Sequence, residues 1–169
     1  MKKVCMLGCP RLGDFHGYFI DSIDPRPYFP RGKWPMIYRQ LIEAKFVDEM
    51  YREKYAPYMK FIADFIDRFQ DFDLIVFATY NPIHPEVLFR ELKKPIKILG
   101  FSDDPHSTYL RGIPYLWACD GAFYISPSYN DRLLFADAFR RWGFHHASWL
   151  PVSVTLPEWS SAANSWWPL

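Results

Sequence analysis

The densest set of chemically capable side chains is Asp103-Asp104-Pro105-His106, in the segment GFSDDPHS. Neighbouring carboxylates can bind a metal, orient a hydroxyl or act as a general base, and an Asp in that place can equally cap the next helix. Pro105 biases Asp104 toward an extended backbone, where consecutive side chains point to opposite sides. One carboxylate therefore faces any one cleft, and a dinuclear metal site is not expected. His16, with Asp14 two residues before it, has the makings of a general base whose imidazolium a carboxylate stabilises; a plain exposed histidine is the competing account. His84, in NPIHPE, either starts a helix with Pro85 in its first turn or lines a cleft, and Asn81 precedes it. Ser126, Ser128, Tyr129 and Asn130 make a further polar group, without the GxSxG elbow or defined His and Asp partners of a serine hydrolase.

Elements able to position these groups can be read from the apolar pattern. KVCMLG at 3–8 is a short apolar run closed by Gly and Pro, as in a strand buried on both faces. Residues 9–35 carry Pro10, Pro25, Pro27, Pro30 and Pro35 without helical period, which predicts a long irregular loop. Ile37, Leu41, Ala44, Val47, Met50 and Tyr51 then recur at helical spacing between Met36 and Tyr55. A second helix is expected from about Pro57, with Tyr58, Phe61, Ile62, Phe65, Ile66 and Phe69 on one stripe that reads as core. Beyond it, strands at 74–78, 96–101, 122–126 and 147–152 alternate with helical segments at 85–92, between 106 and 118, and from Tyr129 to Trp142. Ser128 and Asp131 suggest a capping box for the last helix and Gly143 its stop. The alternation predicts an α/β, Rossmann-like parallel sheet of about five strands with helices on both faces, in one domain over 1–157. The Trp-containing stretch 158–169 has neither period and is expected to be disordered.

In such a sheet, ligands bind beyond the carboxyl ends of the strands. That rule selects Asp14 and His16 after the first strand, Asn81 and His84 after the second, Asp103, Asp104 and His106 after the third, and Ser126 and Tyr129 after the fourth. His145 and His146 precede the last strand and belong to the opposite rim. The first loop, Gly8-Cys9-Pro10-Arg11-Leu12-Gly13, is neither GxGxxG nor a P-loop, which disfavours dinucleotide or ATP binding there. No cofactor is expected.

Composition narrows the partners. Half of the 169 residues are hydrophobic, 23% are charged, and the net charge is +1 without a long basic block, so nucleic acid is not expected. Three cysteines without CxxC spacing argue against a disulfide framework or a metal site. No uncharged apolar stretch reaches the roughly 18 residues of a spanning helix, and the apolar run after Met1-Lys2-Lys3 stops at Pro10-Arg11. Neither a membrane span nor a signal peptide is read, and a cytoplasmic location is expected.

From Asp73 to Pro151 the segments FATYNPIHP, LGFSDDP, DGAFYISPSYNDR and WLP together resemble the amino-terminal, acceptor-side half of GT-B glycosyltransferases, nearest the spore-maturation-protein-like group. Where that group has an aromatic residue such as Trp near the acidic turn, this chain has Phe101 and Ser102. The resemblance implies transfer of a sugar from a nucleotide sugar to a hydroxyl acceptor in a cleft between two halves. By position it implies Asp14 or His16 as base, with Asn81, His84, Asp103, Asp104, His106, Ser126 and Tyr129 binding substrate. It runs out at WLP, so the donor-binding half is expected to be missing or supplied by a separate polypeptide, and the chain alone to be inactive. The alternative is a non-catalytic Rossmann-like binding or interaction module. A phosphate enzyme of the receiver type is disfavoured, since the exit of the first strand offers only Asp14.

Overall fold

The computed structural model describes residues 1–7, 13–15, 17–28, 44–77, 81–101, 112–124, 128–130 and 133–150. In chain order these form β1 (Lys2–Leu7), β2 (Gly13–Phe15), β3 (Tyr18–Asp21), a 3-10 turn (Arg26–Tyr28), α1 (Ala44–Arg52), α2 (Ala56–Phe69), β4 (Leu74–Phe77) and α3 (Pro85–Arg90). There follow β5 (Ile96–Phe101), a 3-10 helix (Ile113–Ala118), β6 (Gly121–Tyr124), β7 (Ser128–Asn130), β8 (Leu133–Leu134), α4 (Phe135–Arg141) and β9 (Ala147–Trp149).

The main sheet has the order β2-β3-β1-β4-β5-β6-β9. Six of its strands, β3, β1, β4, β5, β6 and β9, run parallel, and β2 joins antiparallel to β3 at the edge. Helices flank this sheet, a Rossmann-like α/β arrangement. β1, β4, β5, β6 and β9 are the strands read from the apolar runs. The sixth, β3, lies in the stretch 9–35 expected to be irregular, which also holds β2 and the first 3-10 turn. β2 and β3 form a tight hairpin in which Gly17 has φ +84°, a conformation that glycine adopts without steric penalty.

The aromatic stripe of α2 is core. Tyr58, Phe61, Ile62, Phe65 and Phe69 are buried, and the rings of Phe65, Phe69 and Phe72 follow one another at 5.0 Å between centroids. Each such ring contributes about 1.5–3 kcal/mol through area removed from water. Asp21, at the carboxyl end of β3, is 3% exposed and is held by α2: Arg68 Nε and Nη2 donate to its carboxylate at 2.8 and 2.7 Å.

Two helices end on the same backbone motif. After α4, the Gly143 N–H donates to Arg140 O and the Phe144 N–H to Phe139 O, with Gly143 at φ +75° and the Phe139 and Phe144 rings 6.1 Å apart. This is a Schellman cap with its apolar contact. After α1 the same pair of bonds runs from Lys54 to Tyr51 and from Tyr55 to Met50, with Lys54 rather than glycine at φ 53°. The last helix is shorter than expected. Ser128 and Asn130 pair with Leu134 and Leu133, so the backbone is extended where the capping box would have started a helix, and α4 begins at Phe135.

Candidate functional site at the exit of β4

Chain order reverses at the centre of the sheet. β1 has β3 on one side and β4 on the other, both parallel to it, so the connections leave in opposite directions at the carboxyl ends of β1 and β4, the place where open α/β sheets receive ligands. Leu7 and Phe77 are register partners at those ends. Described residues resume at Asn81, and the loop Asn81-Pro82-Ile83-His84 leads into α3.

This loop is buried and braced from three sides. The Oδ1 of Asn81 accepts the Ile83 N–H at 3.0 Å, an Asx turn, which also fixes the amide orientation because a flipped NH2 would face another donor. The Asn81 carbonyl accepts the Tyr115 hydroxyl at 3.1 Å, and the Pro82 carbonyl accepts the Tyr58 hydroxyl at 3.1 Å. The Tyr58 oxygen in turn accepts the His84 N–H at 2.9 Å. Burial pushes both tyrosine hydroxyls to higher pKa, so they remain protonated donors. Asn81 Nδ2 has no hydrogen-bond partner among the described residues, although Asn81 is 1% exposed. A buried donor left unmatched costs about 1–3 kcal/mol.

His84 caps α3, with Pro85 in the first turn. Its Nδ1 accepts the Glu86 N–H at 3.1 Å, which leaves the proton on Nε2, 3.3 Å from Asp48 Oδ1 on α1. Arg52 holds the same carboxylate. The imidazole is stacked on Tyr51 of α1, centroids 4.0 Å apart. Burial lowers the His84 pKa, and the bond to Asp48 opposes that shift without overcoming it. Both ring nitrogens are thus committed, and of the two readings of NPIHPE the helix start is the one adopted. In this arrangement His84 shapes the loop and has no lone pair free to take a proton.

Asp14 is not beyond the carboxyl end of β1. The chain doubles back, and the Asp14 backbone in β2 pairs with Phe19, itself the partner of Lys3 near the start of β1. Four residues separate Lys3 from Leu7, about 13 Å along a strand. Asp14 and Asn81 are therefore not brought together. His16 lies outside the described residues; its neighbours Phe15 and Gly17 belong to the hairpin beside Tyr18 and Lys2. Asp103, Asp104, His106 and Ser126 also lie outside them, and Tyr129 is placed by its backbone in β7, paired with β8 rather than in the main sheet. β5, which precedes the acidic pair, lies directly beside β4, so its carboxyl end at Phe101 adjoins the Asn81 loop side of the sheet. His145 and His146 precede β9, on the opposite rim.

The residues that hold the loop, Asp48, Tyr51, Tyr58 and Tyr115, were not singled out by sequence. For Tyr58 a signal existed: a hydroxyl on a fully apolar stripe must find a partner when buried.

Comparison with protein families, with curated proteins and with solved structures finds no match for this chain. Among the described residues, no helix is long and apolar enough to cross a membrane.

Proposed function

We propose that the chain is the acceptor-binding half of a GT-B glycosyltransferase, which places a hydroxyl acceptor for attack on a nucleotide sugar held by a second, donor-binding half. The observation that supports this reading is the reversal of strand order between β1 and β4, with the buried, tyrosine-braced Asn81–His84 loop at the exit of β4. Asn81 contacts the acceptor, and His84 sets the loop. With Asp14 at the amino-terminal level of the sheet, deprotonation of the acceptor hydroxyl falls to Asp103 or Asp104, which follow β5 in sequence. His106, Ser126 and Tyr129 remain candidates for acceptor contacts.

The test is transfer of labelled sugar by this chain combined with a donor-binding half of the spore-maturation-protein-like group. Turnover that falls about 10²–10⁴-fold in Asp103→Asn or Asp104→Asn supports the reading, the range expected for a general base. A nucleotide sugar neither bound nor hydrolysed in any such pairing would abandon it.

A second reading, a non-catalytic interaction module, is favoured by one observation. Phe89 on α3 and Trp117 on the second 3-10 helix are each 53% exposed and touch, centroids 5.4 Å apart, as a joint apolar surface. Partner capture lost in Phe89→Ala/Trp117→Ala but kept when Asp103 and Asp104 become Ala would favour the module.

A further inference from the structure

Phe89 on α3 and Trp117 on the second 3-10 helix face solvent together, each 53% exposed, with ring centroids 5.4 Å apart. Neither ring is what seats its element on the sheet. On α3 that is done by Val87 and Leu88, and on the 3-10 helix by Tyr115, Leu116 and Ala118, all buried. Apolar residues scattered singly over a surface need no explanation, but an adjoining aromatic pair that includes a tryptophan has the composition of an interface centre.

The charges beside the pair point to what covers it. On the α3 flank, Lys93 Nζ donates to Phe89 O at 2.8 Å and lies 5.1 Å from the Phe89 ring centroid, and Arg90 pairs with Glu86. On the other flank the 3-10 helix carries no charge, and the first one after Trp117 is Asp120, whose side chain is 53% exposed. A basic flank on one helix and an acidic one beyond the other make the surface complementary to itself. A two-fold axis running between the two helices sets α3 of one copy against the 3-10 helix of the next, with Lys93 toward Asp120. A strongly acidic or strongly basic partner would meet a like charge on one flank. The net charge of +1 leaves little repulsion between copies.

We propose that a second copy of this chain docks on the Phe89–Trp117 surface, forming a symmetric and reversible dimer. An aromatic side chain buries about 150–250 Å² in full, so two half-exposed rings offer about 200 Å² per copy, against about 800 Å² per partner in a stable interface. The pair is the centre of the contact and charged side chains are its rim, so association is weak and concentration-dependent rather than obligate. The dimer requires neither the acceptor-half nor the interaction-module reading.

The experiment is sedimentation equilibrium of the full chain from about 1 μM to about 1 mM, the range in which a contact of this size should associate, together with 15N spectra over the same range. The expected result is a monomer–dimer equilibrium whose concentration-dependent amide shifts fall on residues 86–94 and 113–120. Trp117→Ala should weaken the dimer about thirtyfold, as for a hot-spot residue. Lys93→Glu should weaken it about two- to fivefold, an effect that fades in high salt. If Trp117→Ala does not fold, Phe89→Glu, whose charge stays in solvent in the monomer, replaces it, and the wild-type spectra decide if both fail. A chain that is monomeric throughout overturns the proposal, even where Phe89 and Trp117 hold a different protein. So does a dimer that no variant weakens, or one whose shifts fall on β9 or on the β2–β3 hairpin. Failure of sugar transfer with every donor-binding half would sink the acceptor-half reading and leave the dimer standing.

Discussion

The imidazole of His84 lies nearly flat on the ring of Tyr51, 13° from parallel, and this contact joins α1 to the first turn of α3. The Asp48–His84 bond runs between the same two helices. The loop after β4 is thereby tied to a helix more than thirty positions earlier in the chain, and its stability depends on the charge state of one histidine.

That dependence has a defined sign. Neutral His84 is favoured in the fold because its pKa is lowered from 6.5 by burial, and a protonated Nδ1 cannot accept the Glu86 N–H. The contribution is complete above pH about 6.5, the unfolded value, and is lost as pH falls through the lower folded value. Urea unfolding at pH 7.5 and 5.5 should show a loss of stability for the wild type that is smaller in His84→Asn, since Asn caps without titrating. His84→Ala should lose about 1 kcal/mol at pH 7.5. An equal pH response in wild type and His84→Asn would contradict the assignment.

Removing the Tyr58 hydroxyl strands two buried groups, the Pro82 carbonyl and the His84 N–H, whereas removing that of Tyr115 strands only the Asn81 carbonyl. Tyr58→Phe should therefore destabilise by about 2–4 kcal/mol and Tyr115→Phe by about 1–2 kcal/mol. Denaturant midpoints at constant m-value would measure both, and the reverse ranking would count against the bracing of the loop.

Arg68→Met removes both guanidinium bonds from the buried Asp21 carboxylate, which also accepts the Ser22 N–H. Because Arg68 itself is partly exposed, the expected loss is about 2–3 kcal/mol, below that of a fully buried pair. Pairing it with Asp21→Asn should recover part of that loss in a double-mutant cycle. Additive losses would mean that the two side chains do not act together.

Lys54 carries the left-handed turn after α1, at φ 53°, where glycine is free of the Cβ clash. Lys54→Gly should stabilise by about 0.5 kcal/mol, the gain being reduced by loss of the Lys54 ammonium from the Tyr51 ring, 4.3 Å away. A thermal melt showing a lower midpoint would refute it.

Much of this fold could be read before any coordinates. The strands β1, β4, β5, β6 and β9 announce themselves as short apolar runs, and α2 as an aromatic stripe, because those patterns are local. β3 hides because its sequence, Tyr18-Phe19-Ile20-Asp21, ends in an acid whose charge is met by Arg68 on another element, 47 residues away. The site divides in the same way. Asn81 and His84 follow from the rule that loops after parallel strands bind ligands, while their supports on α1, α2 and the second 3-10 helix come from 26 to 36 residues away and leave no spacing signal. Asp14 falls on the opposite rim from the one the strand-exit rule gives it, because β2 and β3 return along β1.

Glycosyl transfer by the chain joined to a donor-binding half tests the central claim most directly. The account predicts sugar transferred to a hydroxyl acceptor, with turnover collapsing in Asp103→Asn or Asp104→Asn while the fold is retained. Full turnover in both variants, or no nucleotide-sugar binding with any donor half while the exposed Phe89–Trp117 surface captures a partner, would contradict it.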